Sequence, residues 1–273
     1  MSEGPGSQPS HRLAVIGHPV AHSRSPAMQN AALDDLGLAP EWSYEAIDIE
    51  PADLVARIGE LPALGFAGVN VTVPHKEAAL ALSDHAGEAA AAIGAANTLV
   101  FEGKQIRAEN TDAPGLIDAL GQVPAGTTAL VLGAGGAARA VLWALAAEGA
   151  VVSVWNRTPA RAVAMVAELG GSVKDNPETD SYDLIVNASA AGLGGGDAVA
   201  ELPIDPNRFR PGQTVVDMVY GSEPSALLRE AARAGARTVD GLEILVCQGA
   251  RSLEIWTGRK PSLEVMRKAA SRG

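Results

Sequence analysis

Six polar or charged side chains lie near predicted strand ends in the first half of the sequence, where they can meet a small ligand. They are two serines, a threonine, a lysine, an amide and a carboxylate: Ser23, Ser25, Thr72, Lys76, Asn97 and Asp112. Parallel α/β sheets bind ligands at the carboxyl ends of their strands. Hydroxyls, other donors and a carboxylate suit a small hydroxylated acid. Lys76 and Asp112 are separated by 35 intervening positions, and each also fits an ordinary surface charge.

A glycine-rich loop in the second half of the sequence predicts a dinucleotide site. It follows a predicted strand and opens a predicted helix, with Ala138 at the third small position. Glycines permit a tight turn and close approach of a pyrophosphate, whose negative charge the helix N-terminus favours. A turn with only a structural role is the alternative. The residues predicted to bind the cofactor here are Gly133, Ala134, Gly135, Gly136 and Ala137.

The end of the next predicted strand indicates which dinucleotide binds. NAD-binding folds carry an acidic residue there, about twenty residues beyond the glycine loop. This chain has none, and offers the guanidinium groups of Arg157 and Arg161, which can bind a 2′-phosphate. Thr158 is predicted to cap the following helix, with Pro159 at its first position. The segment therefore predicts NADP, bound by Asn156, Arg157, Thr158 and Arg161; two solvated surface arginines are the alternative.

Alternating strands and helices are predicted to position these groups. In the first half, strands are predicted at residues 12–17, 42–49 and 68–73, a helix ending near Leu36, another at 52–58, and a hairpin within 97–108. The second half begins with a helix from about Ala113. It continues with strands at 127–132, 151–155, 184–187 and 214–219, and helices at 137–148 and 159–169. This alternation favours largely parallel sheets flanked by helices.

Length and composition set the class of protein. A chain of 273 residues with 47% hydrophobic residues is long enough for two domains. No run of eighteen apolar residues occurs, so no membrane span is predicted. Residues 1–10 lack the order of a signal peptide and are predicted to be frayed, and the Gly194-Gly195-Gly196 run is predicted to be a mobile loop.

Charge and cysteine content exclude further classes. The net charge of −11 opposes nucleic-acid binding and means that local donors must hold any anionic ligand. Cys247 is the only cysteine, which excludes an intrachain disulfide, and it is predicted to be packed. A reducing cytoplasm fits this content. His18, His22 and His75 lack the spacing of a helical metal pair and an adjacent acidic partner, so no metal site is predicted.

Seven sequence patches resemble the shikimate dehydrogenase family in order and spacing. The similarity spans residues 11 to 258, nearly the whole chain. The patches are Ser23-Arg24-Ser25-Pro26, Asn70-Val71-Thr72-Val73-Pro74-His75-Lys76, Gly94-Ala95-Ala96-Asn97-Thr98, Asn110-Thr111-Asp112, the glycine loop, Asn156-Arg157-Thr158 and Gln248-Gly249-Ala250.

The resemblance implies an α/β fold of two domains. A substrate domain would comprise residues 1–115 plus about 244–273, with the final helices returning to it. A Rossmann-type NADP-binding domain would comprise residues 116–243. The implied reaction is the reversible NADPH-dependent reduction of 3-dehydroshikimate to shikimate, in the chorismate pathway to aromatic amino acids. The implied partner is this small-molecule substrate, without nucleic acid or membrane, and a homodimer is the candidate assembly.

The resemblance also implies roles for individual residues. Ser23 and Ser25 would hold the substrate carboxylate, and Lys76 with Asp112 would form the catalytic pair. Lys76 would donate the proton that accompanies hydride transfer, and Asp112 would orient it. Further oxygens of the substrate would be contacted by Thr72, Asn97, Asp112, Tyr220 and Gln248. Further residues near the cofactor would be Glu88, Ala188 and Ser189, with Met218 and Gly241 at the nicotinamide end.

Departures from the family pattern leave rival interpretations open. Residues 187–193 replace a segment that is usually richer in threonine, and Ile244 stands where methionine is common. A quinate or quinate/shikimate dehydrogenase would share the catalytic pair and need room near Ser23 and Ser25. A catalytically silent NADP-sensing regulator would be expected to have lost both Lys76 and Asp112. A different dehydrogenase of the same two-domain plan is constrained mainly by the paired serines.

Overall fold

The computed structural model describes residues 9–193 and 196–272, which form two compact α/β units. The first unit comprises the described chain up to Ala91, residues Ala95–Thr111 and the described chain from Gly249 onward. The second comprises Ala92–Gly94 and Asp112–Gln248. The α/β class predicted from the sequence is confirmed. The predicted fraying of residues 1–8 and mobility of Gly194 and Gly195 concern positions outside the described residues.

The first unit is built on a mixed six-stranded sheet. Its strands are β1 (His11–Gly17), β2 (Trp42–Asp48), β3 (Phe66–Val71), β4 (His85–Ala86), β5 (Thr98–Glu102) and β6 (Gln105–Glu109), in the order β2-β1-β3-β5-β6-β4. β1 pairs in parallel with β2 and β3, whereas β5 runs antiparallel to β3 and β6. β4 pairs in parallel with β6, so β5 alone runs against the other five strands, and the predicted largely parallel sheet is confirmed with β5 as its exception.

Helices cover this sheet. They are α1 (Ser25–Asp35), α2 (Leu54–Glu60), α3 (Lys76–Ala81), α4 (Glu88–Ile93), α10 (Gly241–Thr257) and α11 (Leu263–Ala270), of which α4 and α10 cross the division between the units. α11 packs against α1, and Arg24 Nη1 donates to the carbonyl of Ala270 at 3.0 Å. α11 and the C-terminal part of α10 belong to the first unit.

Two predicted elements in the first unit are displaced by two residues at both ends: α2 lies at Leu54–Glu60 and β3 at Phe66–Val71. α2 begins at Leu54 instead of 52, after a turn that starts at Pro51. β3 ends at Val71 instead of 73, because the carbonyl of Thr72 accepts a hydrogen bond from the N–H of His75 and so closes a turn. Thr72 therefore lies just beyond the strand, at the sheet edge described below.

The core of the first unit lies under the sheet, and one glycine admits an aromatic side chain to it. Buried strand residues such as Ile16, Val69 and Leu99 pack together. A Cβ at Gly68 would collide with the indole of Trp256 and with the carbonyl of Leu99. Trp256 Nε1 donates to that carbonyl at 3.0 Å, so Gly68 lets α10 dock against β3 and β5.

The second unit has a fully parallel sheet. Its strands are β7 (Thr128–Leu132), β8 (Val151–Trp155), β9 (Ser172–Val173), β10 (Leu184–Asn187), β11 (Thr214–Asp217) and β12 (Arg237–Asp240). The order β9-β8-β7-β10-β11-β12 is the 3-2-1-4-5-6 order of the Rossmann fold. Its helices are α5 (Asp112–Leu120), α6 (Gly136–Ala147), α7 (Pro159–Leu169), α8 (Ala198–Glu201) and α9 (Ala226–Arg233). β8, α7 and β10 have the predicted bounds, whereas β11 ends two residues early.

Within the described residues, no helix combines the length and the apolar character needed to cross a lipid bilayer.

Candidate active site

Strand register brings the predicted substrate-binding residues of the first unit to one edge of its sheet. Ile16 near the end of β1 pairs with Val71 at the end of β3. Asn70 pairs with Thr98 at the start of β5, and Thr98 pairs with Glu109 at the end of β6. The loops that follow β1, β3 and β6 therefore leave the sheet at the edge where β5 begins. These loops and strand ends carry Ser23, Ser25, Thr72, Lys76 and Asn97.

The paired serines lie where the loop after β1 becomes α1. Ser25 is the first residue of the helix and is buried, and its N–H donates to Ser23 Oγ at 3.3 Å. The helix begins one residue before Pro26, which lies within its first turn. This short turn holds both hydroxyls at the helix N-terminus, where a carboxylate is favoured by the helix dipole.

Lys76 occupies the start of α3 on the same edge. The side chain is half-buried, and its backbone carbonyl accepts a hydrogen bond from the N–H of Ala96 at 2.9 Å. The backbone N–H of Thr72 donates to the carbonyl of Ile16 at 2.8 Å. Short backbone contacts thus tie the segments of Thr72, Lys76 and Asn97 together, although the residues lie apart in sequence.

A buried polar network joins β2, β3, β5 and α10 near this edge of the sheet, and the sequence analysis missed it. Tyr44 Oη donates to Asn70 Oδ1 at 2.7 Å, and Asn70 Nδ2 donates to Ser252 Oγ at 2.9 Å. Ser252 Oγ lies 2.8 Å from Thr98 Oγ1 and 3.0 Å from Thr111 Oγ1. An amide in the apolar strand around Asn70 is a signal that could have revealed it, because buried polar groups require partners.

Asn97 connects this network to the chain that leads into α5. It is 2% exposed, its Nδ2 donates to Thr111 Oγ1 at 2.9 Å, and its Oδ1 accepts the Thr111 N–H at 2.7 Å. Asp112, the next residue, is buried and opens α5 in the second unit. The backbone immediately before the predicted catalytic carboxylate is therefore fixed by two side-chain hydrogen bonds.

The other predicted substrate residues belong to the second unit. A Cβ at Gly115 of α5 would lie 2.7 Å from the backbone nitrogen of Gln248, so α5 and α10 meet there without a side chain between them. Gln248 is 8% exposed, and its Nε2 donates to the carbonyl of Leu245 at 2.8 Å. Tyr220 follows β11 and is half-buried. Five predicted substrate residues thus lie in the first unit and three in the second.

The glycine loop of the second unit has the geometry of a pyrophosphate site. Gly133 has a φ of +126°, and a Cβ there would lie 2.8 Å from the carbonyl oxygen of Ala188. Gly135 has an ordinary φ of −105°, and a Cβ there would meet no protein atom within 4 Å. Packing therefore requires glycine at the first position only. An open position at the start of a helix suits the close approach of a pyrophosphate.

The loop after β8 presents the side chains of both predicted arginines without partners among the described residues. Many arginine side chains in the described residues bond to carboxylates, as Arg139 does to Glu168 at 2.6 Å. The side chains of Arg157 and Arg161 make no hydrogen bond or ion pair with any described residue. Guanidinium groups without protein partners suit a ligand phosphate. Both side chains are exposed and available to the 2′-phosphate of NADP.

The predicted capping role of Thr158 is wrong. Thr158 is the residue before α7, and Pro159 follows in the first turn as predicted, but the Thr158 side chain forms no capping hydrogen bond. Its carbonyl instead accepts hydrogen bonds from Asn156 Nδ2 at 2.9 Å and from the Arg161 N–H at 3.1 Å. The loop conformation is thus set by the backbone of Thr158 and the side chain of Asn156.

A buried carboxyl joins the loops that follow β10 and β11. Asp217 is 0% exposed, and its Oδ1 accepts hydrogen bonds from Asn187 Nδ2 at 2.9 Å and from the Val219 N–H at 3.1 Å. Asn187 Oδ1 in turn accepts Ser189 Oγ at 2.7 Å. Burial raises the pKa of Asp217 above its usual range. This chain of bonds positions Ala188, Ser189 and Met218, three of the predicted cofactor-binding residues.

Gly241 and Glu88 lie in different environments. A Cβ at Gly241 would lie 2.5 Å from the carbonyl of Met218, so glycine lets the start of α10 contact the loop after β11. Glu88 is exposed at the start of α4, in the first unit. Within the described residues, no three or more histidine, cysteine, aspartate or glutamate side chains lie close enough together to hold a metal ion. The side chain of Cys247 is buried, as the sequence predicts.

The interpretation of His18 as lacking an acidic partner is wrong. His18 Nδ1 lies 2.7 Å from Asp48 Oδ1, and Asp48 Oδ2 accepts the Val20 N–H at 3.1 Å. The partner lies at the end of the neighbouring strand, and sequence adjacency could not reveal it. The pair raises the pKa of His18 above 6.5 and, with the Val20 hydrogen bond, lowers the pKa of Asp48 below 3.8. It anchors the loop that leads to the paired serines.

Replacing Asp48 with asparagine is expected to return the pKa of His18 to about its ordinary 6.5. The His18 contribution to stability is present below pH 6.5 and is lost as the pH rises through its raised pKa. The Asp48 contribution is present above pH 3.8 and is lost as the pH falls through its lowered pKa. Both contributions to stability are present between pH 3.8 and pH 6.5. NMR titration of the histidines measures the pKa of His18, with Asp35→Asn as the control. An unchanged His18 titration in Asp48→Asn contradicts the prediction.

Comparison with known proteins places this geometry in a family. The model of the shikimate dehydrogenase substrate binding domain matches residues 15–99, and that of the shikimate 5′-dehydrogenase C-terminal domain matches residues 241–270. The chain is 42% identical over 270 residues to a shikimate dehydrogenase (NADP(+)) of Moorella thermoacetica, covering 93% of this chain and 90% of that protein.

Solved structures agree with these matches. The shikimate 5-dehydrogenase of Thermus thermophilus, in complex with NADP(H) and shikimate, is 44% identical with a TM-score of 0.87, covering 96% of this chain and 98% of that one. The shikimate dehydrogenase of Aquifex aeolicus is 35% identical with a TM-score of 0.90, covering 97% and 99%. The resemblance seen in the sequence patches is confirmed: the chain belongs to the shikimate dehydrogenase family.

Proposed function

We propose that this chain catalyses the reversible NADPH-dependent reduction of 3-dehydroshikimate to shikimate, a step of the chorismate pathway to aromatic amino acids. The observation that carries the proposal is the 44% identity, over 96% of this chain, to the Thermus thermophilus protein whose structure contains NADP(H) and shikimate. The sheet edge of the first unit and the unpaired arginines of the second add to it.

The substrate is held by local donors. Ser23 and Ser25 bind its carboxylate at the start of α1, where backbone N–H groups and the helix dipole offset the net charge of −11. Thr72, Asn97, Asp112, Tyr220 and Gln248 bind its hydroxyls and carbonyl. The network through Asn70 and Ser252 holds Asn97 in place without touching substrate. These assignments carry the family roles onto residues whose supports are described above.

Lys76 and Asp112 carry the proton chemistry. When bound, NADPH supplies the hydride. Lys76 donates a proton to the carbonyl oxygen as negative charge develops on it, and accepts that proton when shikimate is oxidised. Asp112 is the carboxylate that orients the ammonium group. The fixed backbone at Thr111 limits the positions that the Asp112 side chain can reach.

The cofactor is bound along the carboxyl edge of the Rossmann sheet. Gly133 to Ala137 hold the pyrophosphate, and Asn156, Arg157, Thr158 and Arg161 hold the adenosine with its 2′-phosphate. Ala188, Ser189, Met218, Gly241 and Glu88 complete the proposed set. The substrate domain comprises residues 1–115 plus about 244–273, and the cofactor domain residues 116–243. A cytoplasmic location and a homodimer complete this proposal.

The test measures reduction of NADP, and separately of NAD, by the purified protein with shikimate or quinate as the substrate. Rapid turnover of shikimate with NADP is expected, because the arginines of the loop after β8 favour the 2′-phosphate. Preference for quinate with NAD would show that this loop is misinterpreted. Tight NADP binding without turnover of either acid would contradict the proposed activity and favour the alternative of a catalytically silent NADP-sensing regulator.

A further inference from the structure

A cavity of about 300 Å³ lies beside the loop after β8, and a lysine that the sequence analysis did not consider lines it. Its lining includes Trp155, Asn156 and Arg157 from the end of β8 and the loop after it, and Lys174 and Asp175 from the chain after β9. Arg157 and Lys174 are separated by 16 intervening positions, so the sequence pattern of the dinucleotide fold did not connect them.

Strand pairing explains how Lys174 reaches this cavity. β8 and β9 run in parallel with Val154 opposite Val173, and the N–H of Lys174 donates to the carbonyl of Val154 at 2.9 Å. Lys174 is therefore the first residue beyond β9, at the carboxyl edge of the sheet. Arg157 leaves β8 at the same edge. Ligands bind to parallel sheets at this edge, so both cations face the ligand side of the fold.

Neither cation is neutralised by the protein. Within the described residues, the side chains of Arg157 and Lys174 form no hydrogen bond or ion pair. Asp175 lines the cavity and also forms no ion pair with a described residue. In a chain with 32 acidic and 21 basic side chains, two unpaired cations around one cavity favour an anionic ligand. The adjacent carboxylate of Asp175 opposes the same anion.

We propose that Lys174 binds the 2′-phosphate of NADP together with Arg157, and that Asp175 weakens this binding. The inference rests on the proposed use of NADP, and it adds a specificity residue that follows β9 to those of the loop after β8. Lys174 contributes a mobile point charge, whereas the planar guanidinium of Arg157 contributes paired donors. Affinity for the 2′-phosphate is then set by four charges: the attractive charges of Arg157, Arg161 and Lys174, and the repulsive charge of Asp175.

The experiment measures binding of adenosine 2′,5′-bisphosphate and of 5′-AMP to the full chain by calorimetry. Lys174→Gln is expected to weaken binding of the bisphosphate by about tenfold and to leave 5′-AMP unchanged, because one charge-assisted contact to the extra phosphate is lost. Asp175→Asn is expected to strengthen bisphosphate binding several-fold. Lys104→Gln is the matched control, since Lys104 is an exposed lysine at the hairpin turn of the first unit.

Two results would overturn the inference. If Lys174→Gln binds the bisphosphate as well as the unchanged protein does, Lys174 does not contact the phosphate. If it weakens the bisphosphate and 5′-AMP equally, the lysine acts on the loop and not on the 2′-phosphate. Neither result depends on turnover of shikimate, so failure of this inference is distinct from failure of the proposed reaction.

Discussion

Replacing Lys76 with alanine is expected to lower kcat for shikimate oxidation by about a thousandfold, with little change in NADP binding. General acid–base groups contribute roughly 10²- to 10⁴-fold, and Lys76 also stabilises the developing oxygen charge. It opens α3 at the sheet edge that carries Ser23 and Thr72, so the substrate oxygens lie within its proposed reach. Steady-state kinetics and calorimetric titration with NADP provide the two measurements.

The control for Lys76→Ala is Lys104→Ala, which removes the same charge at an exposed turn. Asp112→Asn is expected to lower kcat as well, because the orienting charge is lost while the side chain keeps its size. Circular dichroism and an unchanged NADP affinity would show that these variants fold. Full activity in Lys76→Ala would exclude Lys76 from the proton transfer.

Replacing both Arg157 and Arg161 with alanine is expected to weaken NADP binding by about a hundredfold while leaving NAD binding nearly unchanged. Two charge-assisted contacts to the 2′-phosphate are lost, each worth roughly 1.5 kcal/mol. Neither side chain has a partner among the described residues, so their removal breaks no ion pair that stabilises the fold. The ratio of kcat/KM with NADP to kcat/KM with NAD measures the change in cofactor preference.

Arg272→Ala is the matched control for the arginine variant. Arg272 is an exposed arginine at the other end of the chain, and its side chain likewise has no partner among the described residues. A general effect of net charge on a dianionic cofactor would appear in this control too. Equal losses of NADP and NAD binding in the double variant would mean that these arginines support the loop and do not select the cofactor.

Local sequence patterns were enough to predict most elements of the second unit. β8 and α7 have the predicted bounds because an apolar run and a Pro159 start signal are local properties. The short strands β4 and β9, and α8, were missed because two to four residues are too few to show a period. The placement of the β5–β6 hairpin beside β3 was not predicted, because strand pairing depends on partner strands, which local patterns do not identify.

The sequence by itself determined the family, the NADP-type loop and the types of side chain at the candidate site, since these follow from residue identity and order. Only the tertiary structure decided which distant groups meet. Asn70 bonds Ser252 across 182 positions, His18 pairs with Asp48 across 30, and Lys174 and Arg157 line one cavity. The reason is physical: such contacts depend on strand register and helix packing, which bring together segments that no local spacing relates.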